Sequence, residues 1–163
     1  MNIPGRSTLY KSSSSNILLL FVGVFFAIIL LWANTSFSQV VAIVNQDHEL
    51  SQISLGEMRN IYLGKTKNWK NGSRIILFLP QSKSVSMDVL VKEILKLESE
   101  SEVPKLYLKL IFQQVFSTPP MPVFDERDAI LKVTANPGGI AIVDSSKLPP
   151  GSSVKIIGLV GLK

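Results

Sequence analysis

Val40 to Val44 is an unbroken apolar run that ends at Asn45. A strand that is apolar on both faces suits cover on both sides, as in parallel sheets. Such a strand needs helices to cover it, and the chain supplies them. Ser54-Leu55-Gly56-Glu57 is a capping box: the Ser54 hydroxyl can accept from the N3 amide while Glu57 reaches back. The helix it opens carries Leu55, Met58, Ile61 and Tyr62 toward the core, and Gly64 suits the left-handed residue that ends it. Arg74 to Leu79 reads as the next strand, closed by Pro80.

Met87, Leu90, Val91, Ile94 and Leu95 recur at helical spacing and make a core stripe, with Asp88 in the first turn. Val103, Leu106, Tyr107, Leu110 and Ile111 make a second stripe after the polar break at Glu98 to Glu102. The proline-rich stretch from Ser117 to Pro122 must be a loop. Asp125 can cap a short helix bearing Ala129, Ile130 and Val133. Ile140 to Val143 and Val154 to Val160 are the last strands. The order is β-α-β-α-α-α-β-β, which predicts an α/β fold with a mainly parallel sheet flanked by helices.

The first 38 residues read as targeting rather than fold. Arg6 and Lys11 make a positive n-region, Ile17 to Ala33 is apolar apart from Gly23, and Ser36-Phe37-Ser38 places small residues before Gln39. That is the layout of a cleavable signal peptide, residues 1–38, with an uncleaved membrane anchor as the alternative. Either way the remainder, 39–163, is expected outside the cytoplasm as one domain.

Without Arg6 and Lys11, 15 of the 17 basic residues remain against 12 acidic ones, a net charge of +3. No basic run is interleaved with aromatics, so nucleic acid is not an expected partner. Cysteine is absent, which removes disulfides, thiol chemistry and cysteine metal sites. His48 is the single histidine; with Asp47 and Glu49 beside it, it is too little for a metal site and too far from the serines for a triad. No enzyme, metal or cofactor is expected.

The residues from Ile61 to Met87 make a helix stopped by glycine, a tight turn, a strand and a serine-rich helix start. Such a unit can hold an anion on the free amides of the helix N-terminus. Ser84 and Ser86 are the candidate hydroxyls, with plain N-capping as the alternative. Lys83 could bring an ammonium to the anion or point into water. Arg74 could pair with it bidentately or be a solvated residue at a strand start.

Two blocks carry a family resemblance. Ile61-Tyr62-Leu63-Gly64-Lys65 with Trp69-Lys70-Asn71-Gly72 is similar to the "(I/F)(F/Y)xGKxxxWxxG" block of phosphate ABC transporter substrate-binding proteins, and Asn136-Pro137-Gly138-Gly139-Ile140-Ala141-Ile142-Val143 is similar to their "NPGAIGYV" strand. The resemblance implies one lobe of a type 2 periplasmic binding protein and an extracytoplasmic phosphate-binding role in transport. The alternative is an interaction or sensor module that reuses the lobe. The family's "GSGTT" loop falls on Lys83-Ser84-Val85-Ser86-Met87, which keeps two hydroxyls and lacks both glycines. Implied partners are phosphate or a similar oxyanion, an ABC permease or another envelope protein, and a second copy of the chain. The last follows from an expectation that the first lobe is absent, so that Val40 to Val44 and Ile140 to Val143 would lie exposed at an edge shared by the Ser84 loop and the Asn136 to Gly139 turn.

Overall fold

The computed structural model describes residues 40–116 and 119–162; the expected signal peptide, 1–38, lies outside them. The chain runs β1 (Val40–Asn45), β2 (Gln52–Ser54), α1 (Leu55–Tyr62), β3 (Ile76–Leu79) and α2 (Val85–Val89). It continues through a π-helical turn (Leu90–Leu95), α3 (Glu102–Phe112), β4 (Met121–Pro122), α4 (Glu126–Ala135), β5 (Gly139–Asp144) and β6 (Val154–Val160). The strands form one sheet in the order β2-β6-β1-β5-β3-β4. β3 pairs in parallel with β4 and β5, and β2 with β6, while β1 is antiparallel to both β5 and β6. Five strands therefore point one way and β1 alone runs against them. The α/β fold with a mainly parallel sheet is as expected.

β1 and β5 alternate between two cores. Val40, Ala42, Val44, Ile140 and Ile142 face a core with Met58, Ile61 and Tyr62 of α1, Leu90 and Ile94 of the π turn, and Tyr107 of α3. Val41, Ile43, Ala141 and Val143 face the other, closed by Ala129 and Val133 of α4. Every one of these β1 and β5 residues is at most 4 % exposed. The expected exposed crossing strands are thus not found. β6 pairs along the free edge of β1 and helices cover both faces.

The caps form as the sequence predicts. Ser54 N–H donates to Glu57 Oε2 at 3.0 Å, and Glu57 N–H to Ser54 Oγ at 3.2 Å. Gly64, at φ +70°, follows the last residue of the α1 cap, and a Cβ there would lie 2.6 Å from Val115. Asp125 accepts from Asp128 N–H at 2.7 Å. The segment from Met87 to Leu95 departs from the α-helical expectation: its apolar stripe is buried, but its second half winds as a π turn and stops at Lys96, φ +58°. Two short edge strands, β2 and β4, had no signature of their own. At two or three residues they are too brief for an alternation to show.

Two buried tyrosines tie α1 and α3 to the sheet. Tyr62 Oη donates to Phe78 O at 2.9 Å and Tyr107 Oη to Tyr62 O at 3.2 Å. Desolvation raises both phenol pKa values well above the ordinary range, with Tyr107 adding to the shift at Tyr62. Both therefore stay protonated and keep donating.

The two motif blocks meet in space. Trp69, 9 % exposed, donates from Nε1 to Gly138 O at 3.0 Å, and Ile76 N–H donates to the same oxygen at 3.0 Å. A Cβ on Gly138 would lie 2.0 Å from Arg74 O. Gly138→Ala must push two backbones apart, so we expect a loss of roughly 2–3 kcal/mol. Urea unfolding followed by Trp69 fluorescence measures it; an unchanged midpoint would show that the junction yields without cost.

Candidate functional site

The parallel strands give the sheet two distinct edges. Beyond their carboxyl ends lie the starts of three helices: Ser54 before α1, Ser84 before α2 and Asp125 before α4. Helix starts present unpaired amides and a partial positive charge. The serine loop follows β3 at this edge. Buried Pro80 ends the strand, and residues 81–84 turn the chain back. Ser84 is extended (φ −90°, ψ 158°) and its Oγ accepts from Met87 N–H at 3.0 Å. It is an N-cap, and its hydroxyl proton is still available to donate.

Lys83 sits at φ +59°. It occupies the position of the first glycine in the similar loop, and it adopts the left-handed backbone that glycine takes freely, at a cost of roughly 1–2 kcal/mol. Val85 is helical, so a β-branched residue fits there. Lys83 N–H donates to Glu100 Oε2 at 3.1 Å, so a carboxylate of this chain already sits on the loop.

Ser86 is 2 % exposed, and its Oγ has no hydrogen-bond partner among the described residues. It borders a cavity of about 10 Å³ shared with Ser84, Gln81, Asp125 and Glu126. That is room for about one water. An anion with four oxygens needs the loop to open, or must bind at its mouth. Carboxylates balance the helix starts here. Glu126 pairs with Lys147 at 3.3 Å, and Asp144, 4 % exposed, accepts from Ser146 N–H at 3.0 Å and Ser146 Oγ at 2.7 Å. Sequence reasoning saw Asp125 only as a cap and did not single out Glu100, Glu126 or Asp144. These carboxylates come from three separate segments, around Glu100, Asp125–Glu126 and Asp144, with no common local spacing.

Lys83, Ser84 and Ser86 are thus together. Arg74 is not with them: it precedes β3 while the loop follows it, with four strand residues, roughly 13 Å, between. Arg74 instead lines a groove of about 510 Å³ at the amino edge with Lys67, Phe116 and Met121. The 136–139 turn also lies at that amino edge, because it enters β5 beside Ile76, the first residue of β3. It does not share the edge of the Ser84 loop, contrary to expectation. A strand entering a parallel sheet and a strand leaving it open on opposite sides.

His48 belongs to the amino edge too. Its ring meets Trp69 edge-on at 4.4 Å, and Nδ1 accepts from Leu50 N–H at 3.1 Å. Lys155 Nζ donates to His48 O at 2.8 Å. His48 cannot act as a base for Ser84 at the other end of the sheet. No cluster of potential metal ligands occurs among the described residues.

No family model matches the chain, and no curated protein matches it. Solved structures do. A putative phosphate ABC transporter substrate-binding protein with bound phosphate from Clostridium perfringens is 16% identical at a TM-score of 0.56, over 77% of this chain and 46% of that one. PstS from Borrelia burgdorferi matches at 16% identity and 0.56, over 77% and 48%. An ABC-type phosphate transport receptor from Vibrio cholerae matches at 15% identity and 0.56, over 77% and 48%. The chain thus spans about half the length of the structures it matches, and it shares their fold over that half.

Two outcomes follow from this geometry. Lys83→Gly relieves the left-handed strain, so the urea midpoint should rise by an equivalent of about 0.5–1 kcal/mol; a fall would mean the Lys83 side chain has a structural role. Burial, and then Lys155, lower the pKa of His48, with Glu49 opposing. The folded protein thus binds the His48 proton less readily than the unfolded chain. This contribution to stability is present above about pH 6.5 and is lost as pH falls below that value. Unfolding free energies measured between about pH 7.5 and 5.5 should decline, and the decline should be shallower in His48→Gln.

Proposed function

We propose that this protein is an extracytoplasmic oxyanion-binding protein, with phosphate as its ligand, related to the substrate-binding components of ABC transporters. Residues 1–38 export it as a signal peptide cleaved after Ser38, or hold it at the membrane as an anchor. Residues 39–163 are the binding domain, and the protein is not an enzyme. Its partners on this reading are the oxyanion and an ABC permease or another envelope protein. The similar folds are binding proteins of phosphate transport, which supports the ligand class. The observation that carries the reading is Ser86. A buried hydroxyl without a partner is costly, and it stands beside the Ser84 cap at a helix start. With the loop opened, an oxyanion would accept from Ser84 and Ser86 and from first-turn amides. Lys83 supplies charge from the rim. Arg74, at the other edge, has no part in it.

A second reading rests on a specific contact. Glu100 already occupies the Lys83 amide, and Asp125 and Glu126 stand beside the serines. An edge so supplied with its own carboxylates suits a module that binds a protein partner and no free anion.

Calorimetry separates the two. The wild type should take up phosphate, and Ser84→Ala with Ser86→Ala should abolish it. Each lost hydrogen bond to a charged ligand is worth roughly 1.5–3 kcal/mol, about 10- to 100-fold in affinity. Loss of the Ser84 cap costs about 1 kcal/mol of stability, so circular dichroism should show the variant folded. No heat from the wild type at millimolar phosphate would overturn the uptake reading in favour of the interaction module.

A further inference from the structure

We propose that α3 is a membrane-contact helix whose outward face seats on an anionic lipid surface. The inward face of α3 is ordinary core: Val103 and Tyr107 are buried, with Leu106 and Leu110 packed against the same cluster. The outward face is not polar, as a solvated helix would be. Phe112 is 79 % exposed, Leu108 56 % and Ile111 37 %. At about 100° per residue, these three fall with exposed Pro104 on one continuous arc. Lys105 and Lys109, one turn apart and both exposed, run along the border of that arc. Neither forms an ion pair among the described residues. Glu102 lies beyond the lysines, away from the apolar arc.

An apolar stripe bordered by lysines is the pattern of a helix lying in a membrane interface. Leu108, Ile111 and Phe112 would enter the headgroup boundary, and the two ammonium groups would meet lipid phosphates. The alternatives fit less well. A stable protein interface buries about 800 Å² per partner from roughly 20–30 residues a side, far more than one helical arc offers. An antiparallel two-fold pairing of α3 with itself would also bring the lysine rows together, like charge against like. A bilayer needs only a few inserted side chains, and its negative surface complements the lysines.

This inference does not depend on the oxyanion reading and is tested apart from it. Residues from Ser38 onward form a compact unit of their own, so the 39–163 protein can be used without the preceding apolar segment. It should co-sediment with vesicles of equal phosphatidylglycerol and phosphatidylcholine and much less with phosphatidylcholine alone. Salt at about 0.5 M should release it. Leu108→Ser with Phe112→Ser should abolish binding, and because both positions are exposed the thermal midpoint should hardly move. Lys105→Gln with Lys109→Gln should weaken partitioning about 25-fold, roughly fivefold per charge, without touching the apolar stripe. Three results would overturn the proposal: no binding of the wild type to either vesicle, equal binding by the serine variant, or a dimer in light scattering that the serine variant dissociates.

Discussion

The structure depends on keeping β1 and β5 dry on both faces at once. Each contributes alternate side chains to two separate cores, and none of those side chains is more than 4 % exposed. At about 25 cal/mol per Å² of apolar surface, this burial is the main stabilising term in the domain. It also dictates the layout. One face takes α1, the α2–π segment and α3, the other takes α4, and the edge of β1 takes β6. The reversed direction of β1 follows from its place between two returning strands that both run against it. With no cysteine, no covalent link supplements this packing.

The parallel strands then divide the polar chemistry between two edges. At the carboxyl edge, helix starts with Ser54, Ser84 and Asp125 give donors, while Asp125, Glu126, Asp144 and Glu100 give acceptors. At the amino edge, Trp69, Gly138, Arg74 and His48 make a structural junction. The Trp69–Gly138 bond joins the two stretches that most resemble a known family. Those stretches are therefore held together by packing at one end, while the candidate binding loop stands at the other. A motif can thus be strong evidence of fold while lying away from the candidate site.

Much of this was legible in the residues. The capping box at Ser54, the stop at Gly64, the caps at Ser84 and Asp125 and most of the apolar stripes follow from local chemistry and appear as expected. Ile111, expected in the α3 core stripe, is instead 37 % exposed, because it lies outside the arc that Val103, Tyr107 and Leu110 turn to the core. The fully buried β1 and β5 follow from their unbroken apolar runs. What was illegible depends on pieces distant in the chain. The π turn at Leu90–Leu95 keeps the same apolar residues buried as an α-helix would. Arg74 lies ten residues from Ser84, yet the extended β3 between them carries the two to opposite ends. Glu100 reaches the Lys83 amide from beyond the π turn and the left-handed Lys96, a contact that no spacing announces.

The sequence alone settled most of the dry faces, because apolar period and cap chemistry act within a few residues, though it counted Ile111 with the core and the expected exposure of β1 and β5 was overturned. It also settled the α/β class, since a strand apolar on both faces needs helices above and below. Tertiary structure alone decided which residues share an edge. Edge membership is set by strand direction and pairing order, which are properties of the whole sheet. It placed Ser84 and Ser86 among carboxylates from three other segments and sent Arg74 and the 136–139 turn away. It left Leu108, Ile111 and Phe112 in water, because α3 has one face to give to the core and the chain supplies no other cover among the described residues.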